Sequence, residues 1–157
     1  MTLPPTPSQT VGPYYSIGLC RRPLAELPAG DVRLHGRLLD GAGEPIDGLI
    51  ELFDPVARQW GRCGTDGEGR FEFVVARPER HGSDAPRLEV HVFGRGILRH
   101  QWTRIYFPDE AEANAADPVL SALAEHERVT LVAEPDGDAL RFDIRMQGER
   151  ATVFFAV

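Results

Sequence analysis

The sequence predicts an all-β fold: an antiparallel β-sandwich with an extended N-terminal arm and one short helix. Three observations carry the prediction. Apolar residues recur at every second position in several short segments, clusters of Gly, Asp and Pro separate those segments, and only one stretch carries a convincing helix start. A chain of 157 residues, 42% hydrophobic and 26% charged, has the size and composition of one ordinary globular domain and no apolar run long enough to span a bilayer.

In chain order, Val32, Leu34 and Leu38 alternate with Arg33, His35 and Arg37, the period-two pattern of a half-buried strand. Residues 40–48 (DGAGEPIDG) are rich in turn formers and a second apolar run occupies residues 49–53, so a hairpin joining the two runs is expected. The turn at residues 64–69 (GTDGEG) tolerates positive φ, and after it Phe71, Phe73 and Val75 alternate with Arg70, Glu72 and Val74. Leu88, Val90 and Val92 sit between Arg87, Glu89 and His91, and residues 102–107 form a further β-prone segment closed by Pro108 and Asp109. Residues 129–133 and 140–146 flank Asp136-Gly137-Asp138, which predicts a terminal hairpin, and residues 152–155 (TVFF) supply one more strand. About eight strands suffice for two packed sheets.

The helix is expected to begin at Asp117-Pro118, where the carboxylate caps the first amides and proline fits the first helical position. Residues 1–30 hold many prolines and little periodicity, so they are read as an arm that docks on another surface and contributes to a substrate pocket. Residues 31–157 are read as the sandwich domain.

The net charge of −7 opposes nucleic-acid phosphates, and no basic cluster with interleaved aromatics offsets it. The first ten residues, MTLPPTPSQT, lack the basic and apolar regions of a secretory leader, so a cytoplasmic location is expected. Every one of the 17 basic side chains is arginine, which excludes lysine Schiff-base chemistry. Cys20 and Cys63 lack metal-ligand spacing and are read as thiols. His35, His81, His91, His100 and His126 form no His-x-His or His-x-x-x-His pair, so no metal site is assigned to this chain. There is no Gly-x-Ser-x-Gly elbow, and GTDGEGR lacks the ending and the strand-to-helix setting of a phosphate loop.

Two segments, residues 6–15 and 97–110, resist a purely structural account. Five segments, TPSQTVGPYYSIGL, GTDGEGRFEF, VFGRGILRHQWTRIYFPDE, NAADPVL and LRFDIRMQGERATVFF, resemble in order and spacing the alpha chains of the protocatechuate 3,4-dioxygenases, in the intradiol ring-cleavage dioxygenase family. The resemblance covers nearly the whole chain. It implies a β-sandwich paired with a homologous beta subunit in a hetero-oligomer, and a non-haem Fe(III) held by two tyrosines and two histidines of that beta subunit. It further implies intradiol cleavage of protocatechuate by O2 to 3-carboxy-cis,cis-muconate. The iron-binding chain carries Pro-x-His-x-His; here the matching stretch is Pro86-Arg87-Leu88-Glu89-Val90, so aliphatic residues stand where the imidazoles belong. Only Tyr14, Tyr15 and Tyr106 exist, none of them between residues 71 and 86, where a second ligand tyrosine is expected.

The resemblance places substrate contacts on Thr10, Gly12, Pro13 and Tyr14 of the arm and on a downstream arginine assigned to Arg128, with Arg104 as rival. A guanidinium matches the carboxylate of protocatechuate in charge and geometry. No catalytic residue is assigned. The alternative is a purely structural sandwich partner without substrate contacts, and a free-standing β-sandwich carrier is a third reading.

Overall fold

The computed structural model describes residues 3–20, 24–28 and 30–156. Two sheets face each other. One is four-stranded, in the order β3 (Gln59–Gly64), β2 (Gly48–Asp54), β5 (Arg87–Gly94) and β6 (Gln101–Tyr106), with every pair antiparallel. The other runs β4 (Arg70–Val75), β1 (Val32–Leu39), β8 (Ala139–Arg141) and β7 (Glu134–Asp136), and a short β9 (Ile144–Arg145) also pairs with β1. This second sheet is mixed, because β8 and β9 lie parallel to β1.

Alternation on each strand builds the core. Leu34, Leu38, Phe71, Phe73 and Val75 from one sheet meet Ile50, Leu52, Leu88, Val90, Val92 and Ile105 from the other, all fully or almost fully buried. A smaller cluster of Ala85, Tyr106, Ala113, Leu120 and Leu131 closes one end of the sandwich. It lies under α2 (Ala111–Ala116), α3 (Pro118–Ala122), α4 (Glu125–Arg128) and a 3-10 turn at Val129–Leu131. Asp117 caps α3 as its sequence predicts: Oδ1 accepts from the amides of Val119 (2.9 Å) and Leu120 (3.0 Å), and Oδ2 accepts from Ala85 (2.9 Å). Among the described residues no helix is long and apolar enough to cross a membrane.

Three strand expectations need correction, and one strand was not foreseen. The hairpin expected across residues 40–48 begins with the Leu39–Pro45 bridge and the amide of Ile46 on Leu38, then the chain crosses over and β2 joins the opposite sheet. The crossing puts Leu38 and Ile50 on facing walls of the core. The hairpin that does form is β2–β3, and β3 escaped notice because two glycines break its apolar pattern. Gly61 is needed there, since a Cβ would lie 2.4 Å from Leu27 Cδ1 where the chain passes over the strand. Residues 129–133 are not a strand: Thr130 donates to the carbonyl of Glu127 (2.7 Å) within the 3-10 turn, and the terminal hairpin instead pairs residues 134–136 with 139–141 around Gly137 (φ 63°). Residues 152–155 contribute only an isolated bridge, Trp102 with Phe155.

The parallel crossing of β1 depends on Gly36, where a Cβ would stand 1.8 Å from the carbonyl oxygen of Phe142. Gly36→Ala is expected to cost about 3 kcal/mol of stability, read by denaturant unfolding with an unchanged slope. A second prediction concerns Tyr106. Burial raises its hydroxyl, Arg104 partly opposes the rise and Asp117 adds to it, leaving the group pushed up to about 12. The neutral phenol therefore contributes stability that is complete below the unfolded value near 10 and is lost as pH rises through the folded value. Unfolding measured between pH 9 and 12 should show this loss, and Tyr106→Phe should flatten it by about 2 kcal/mol.

Candidate functional site

β5 has two unlike faces. Leu88, Val90 and Val92 point into the core, and the first two are 0% exposed. Arg87, Glu89, His91 and Phe93 occupy the opposite face, in register with Tyr106, Arg104 and Trp102 of β6. There Glu89 gathers three partners: Arg87 Nε at 2.9 Å, Arg104 Nε at 3.3 Å and the indole N–H of Trp102 at 2.7 Å, while Arg87 also pairs with Asp84 at 2.9 Å. These side chains are nearly buried, so the pairing of each charge is what makes its burial tolerable.

The residues on the core face of β5 do not fit a ferric ion. Neither Leu88 nor Val90 has a lone pair to give, and both fill space among aliphatic neighbours. The tyrosines do not compensate. Tyr14 is 77% exposed, Tyr15 is committed to Asp47, and Tyr106 lies on the opposite face of the sheet, where Arg104 Nη1 donates to its hydroxyl (3.4 Å). Among the described residues no group of three or more His, Cys, Asp or Glu side chains is arranged to hold a metal ion.

Residues 24–27 of the arm dock on β3 and β4, where Glu26 bridges Val74 and Leu27 enters the core, and residues 10–15 are fixed at two further points. Thr10 Oγ1 donates to the carbonyl of Gly94 (3.2 Å) and accepts from the amide of Gly96 (2.8 Å), which ties the arm to the β5–β6 turn. Tyr15 opens α1 (Tyr15–Leu19) and buries its ring, with its hydroxyl proton shared between Asp47 Oδ1 (2.5 Å) and the carbonyl of Gly48 (2.7 Å). Burial, followed by the Asp47 contact, pushes this hydroxyl well above the ordinary phenol range. Gly12, Pro13 and Tyr14 stand exposed between the two anchors. The sequence reading picked out Tyr14 and missed Tyr15 as the anchor; the Tyr-Tyr pair alone does not say which ring turns inward.

Arg128 lies elsewhere. Its segment joins the far end of the four-stranded sheet, where Val132 bridges Tyr106. Tyr106 pairs with Arg87, the first residue of β5, whereas Thr10 holds Gly94, the last. The ends of β5 lie about 23 Å apart, at roughly 3.3 Å per residue, and the segment that follows Arg128 reaches the middle of the sheet: Thr130 Oγ1 accepts from the Val153 amide (3.2 Å), and the Val153 carbonyl accepts from Thr103 (2.7 Å), opposite Val90. The arm residues come together, and among the described residues the hydrogen bond of the Arg128 guanidinium goes to Leu123 and not to the arm. Arg128 Nη2 donates to the carbonyl of Leu123 (3.2 Å), and its buried Nε has no partner. The rival, Arg104, is held by Glu89 and by the rings of Trp102 and Phe155.

Beside the arm is a cleft of about 390 Å³, walled by Val11, Phe93, Ile97, Leu98, Arg99 and His100, with Ser8 and Gln9 on the arm side. His100 stacks on Phe93 (5.3 Å between centroids, 29° between planes) and leans on His91 (5.1 Å). Burial and then the neighbouring His100 lower the basicity of His91. A larger hollow of about 670 Å³ lies across Ile97, lined by Asp40, Ile46, Gln101 and Met146 among others. Its one carboxylate is occupied by the Ala42 (2.8 Å) and Glu44 (2.9 Å) amides.

No protein-family model matches the chain. It is 40% identical to the protocatechuate 3,4-dioxygenase alpha chain of Burkholderia cepacia, covering 99% of both chains, and 35% identical to that of Pseudomonas putida, covering 98% of this chain and 96% of the relative. The first alignment spans 195 positions, so that relative carries internal segments without counterpart in these 157 residues. The protocatechuate 3,4-dioxygenase beta chain of Burkholderia cepacia is 28% identical, over 80% of this chain and 68% of the relative. Among solved structures, hydroxyquinol 1,2-dioxygenase from Pseudomonas putida DLL-E4 superposes with a TM-score of 0.62 at 15% identity, covering 92% of this chain and 67% of that one. An intradiol ring-cleavage dioxygenase from Tetranychus urticae superposes with a TM-score of 0.61 at 14% identity, covering 88% and 91%. At these identities the superpositions speak for the fold.

The Tyr15 anchor yields a test. Tyr15→Phe removes the hydroxyl that ties the ring to Asp47 and Gly48 while keeping its apolar packing, and is expected to cost about 1–2 kcal/mol. Limited proteolysis should then cut the arm near residues 10–16 faster than in the parent chain, with the sandwich intact.

Proposed function

The chain belongs to the family of protocatechuate 3,4-dioxygenase alpha chains, and on that premise we propose that it is the non-iron-binding subunit of a heteromeric enzyme. In this reading a homologous beta chain holds the ferric ion, and the complex cleaves protocatechuate with O2, between its two hydroxyls, to 3-carboxy-cis,cis-muconate. The observation that carries the division of labour is the pair Leu88 and Val90, aliphatic and fully buried at the positions where the family's iron-binding chains have histidines.

The part left to this chain is orientation. Thr10, Gly12, Pro13 and Tyr14 form an exposed, twice-anchored strip suited to close one side of the substrate chamber. Gly12 has open space around its α-carbon, which allows a ring to approach the backbone, and Pro13 fixes the direction of Tyr14. The Tyr14 hydroxyl is free to hydrogen-bond a bound ring. Holding the ring raises the rate by keeping the reacting carbons in attack geometry, so contacts remote from the hydroxyls act on turnover as well as on affinity.

Arg128 is the residue assigned to the substrate carboxylate in this proposal. Its unpartnered Nε favours that role, and its bond to Leu123 favours a structural one. The second reading, a structural partner without substrate contacts, rests on that bond.

Purification of the chain alone and with its beta chain, followed by measurement of iron content and ring cleavage, tests the proposal. Iron and activity are expected only in the complex. Stoichiometric ferric ion with a phenolate charge-transfer colour in the isolated chain would overturn it.

A further inference from the structure

The only two cysteines of the chain meet at one residue. Cys20 closes α1, its amide donating to the carbonyl of Ser16 (3.3 Å), and its Sγ lies so close to Gly64 that a Cβ there would stand 2.6 Å from the sulfur. Cys63 Sγ donates to the carbonyl of the same Gly64 (3.2 Å). Two thiols from distant parts of the sequence therefore rest on one glycine of β3, and the absence of a side chain at position 64 is what permits the approach.

The arm touches β3 on both sides of Cys63. Gly64 receives Cys20, and the amide of Arg62 donates to the carbonyl of Leu24 (2.8 Å). At the start of α1 the Tyr15 hydroxyl is bonded to Asp47 and Gly48, so Cys20 is held from its N-terminal side as well. β3 is itself paired with β2, where Ile50 faces Cys63 and Leu49 faces Gly64. A turn about χ1 releases the Cys63 thiol from the Gly64 carbonyl. The sulfurs also sense each other: burial, then Cys63, pushes the Cys20 thiol above its ordinary range, and the Arg62 guanidinium opposes the rise.

We propose that Cys20 and Cys63 are a cross-linking pair, joined by a peroxide into a disulfide that locks the end of α1 to β3 and released by a thiol reductant. Hydrogen peroxide oxidises one thiol to a sulfenic acid and leaves as water; the second thiol attacks that sulfur, forms the S–S bond, and passes its proton to the departing hydroxide as a second water. The sulfurs lose two electrons and the peroxide oxygens gain them. The bond closes a loop that contains β1 and β2, which restrains the unfolded chain as well as the arm. Thr10 and Tyr15 hold the arm through hydrogen bonds, and the disulfide adds a covalent tie set by redox state. The inference stands on the position of two sulfurs and does not rest on the reading of the chain as a dioxygenase subunit.

The full-length chain, treated with hydrogen peroxide, blocked with iodoacetamide and digested without reductant, is mapped by mass spectrometry. A peptide pair joining Cys20 to Cys63, lighter by two hydrogen atoms than its separate members and lost on adding dithiothreitol, is the expected product. Limited proteolysis then reads the lock: cleavage within residues 10–20 is expected to be about 5-fold slower in the oxidised chain than in the reduced one, with no such difference in Cys20→Ser or Cys63→Ser. The oxidised and reduced parent decide the matter even where a serine variant fails to fold. Sulfinic or sulfonic acids at either position without the cross-link, or disulfide-linked dimers in place of the internal bond, overturn the pairing. Equal cleavage of the oxidised and reduced parent overturns the lock.

Discussion

The two-residue period of β5 is the constraint on which the rest of the molecule depends. One strand has to wall the core with Leu88, Val90 and Val92 and, on its other side, carry Arg87, Glu89, His91 and Phe93. A shift of one residue would drive two charges into the interior and bring the aliphatic side chains out, so the register with β2 and β6 is strongly specified. The charged face is also self-consistent. Glu89 sits between Arg87 and Arg104 with the Trp102 indole on its second oxygen, and loss of Glu89 leaves the nearly buried Arg104 guanidinium without its carboxylate.

The same strand sets the distance between the two places where chemistry was anticipated. Its first residue lies under the helical cap held by Asp117 and Tyr106, with Arg128 nearby; its last lies under the arm. β5 is extended and paired on both sides, so its two ends keep a fixed spacing.

Much of the sandwich was legible in the sequence, because β1, β4 and β5 alternate, β2 is an apolar run and β6 a β-prone segment, and the Asp117-Pro118 pair announced a helix start that forms with both capping bonds. What stayed hidden has physical reasons. Turn-forming residues at 40–48 fit a hairpin and a sheet-to-sheet crossing equally well, and the choice follows from long-range burial of Leu38 against Ile50. β3 was invisible because its glycines exist to let the chain pass above, a demand that no local pattern expresses. Residues 129–133 have β-branched composition but are drawn into a 3-10 turn so that Leu131 can fill the end cluster. Of the site, the aliphatic residues at positions 88 and 90 are plain from the sequence, whereas which tyrosine of the Tyr14-Tyr15 pair turns inward follows from long-range contacts with Asp47 and Gly48. The cleft's residues 97–100 fell inside a segment already marked as resisting a structural account.

The aliphatic pair at 88 and 90 also has an energetic logic. An imidazole held between two apolar sheets without a metal would bury donors and acceptors with no partner, at a cost of about 1–3 kcal/mol for each unsatisfied group. Leucine and valine at the same depth instead each contribute about 1.5–3 kcal/mol of burial. A sandwich that carries no metal at these positions is therefore more stable with hydrocarbon there. That argument is independent of any partner. It makes Leu88 and Val90 core residues first.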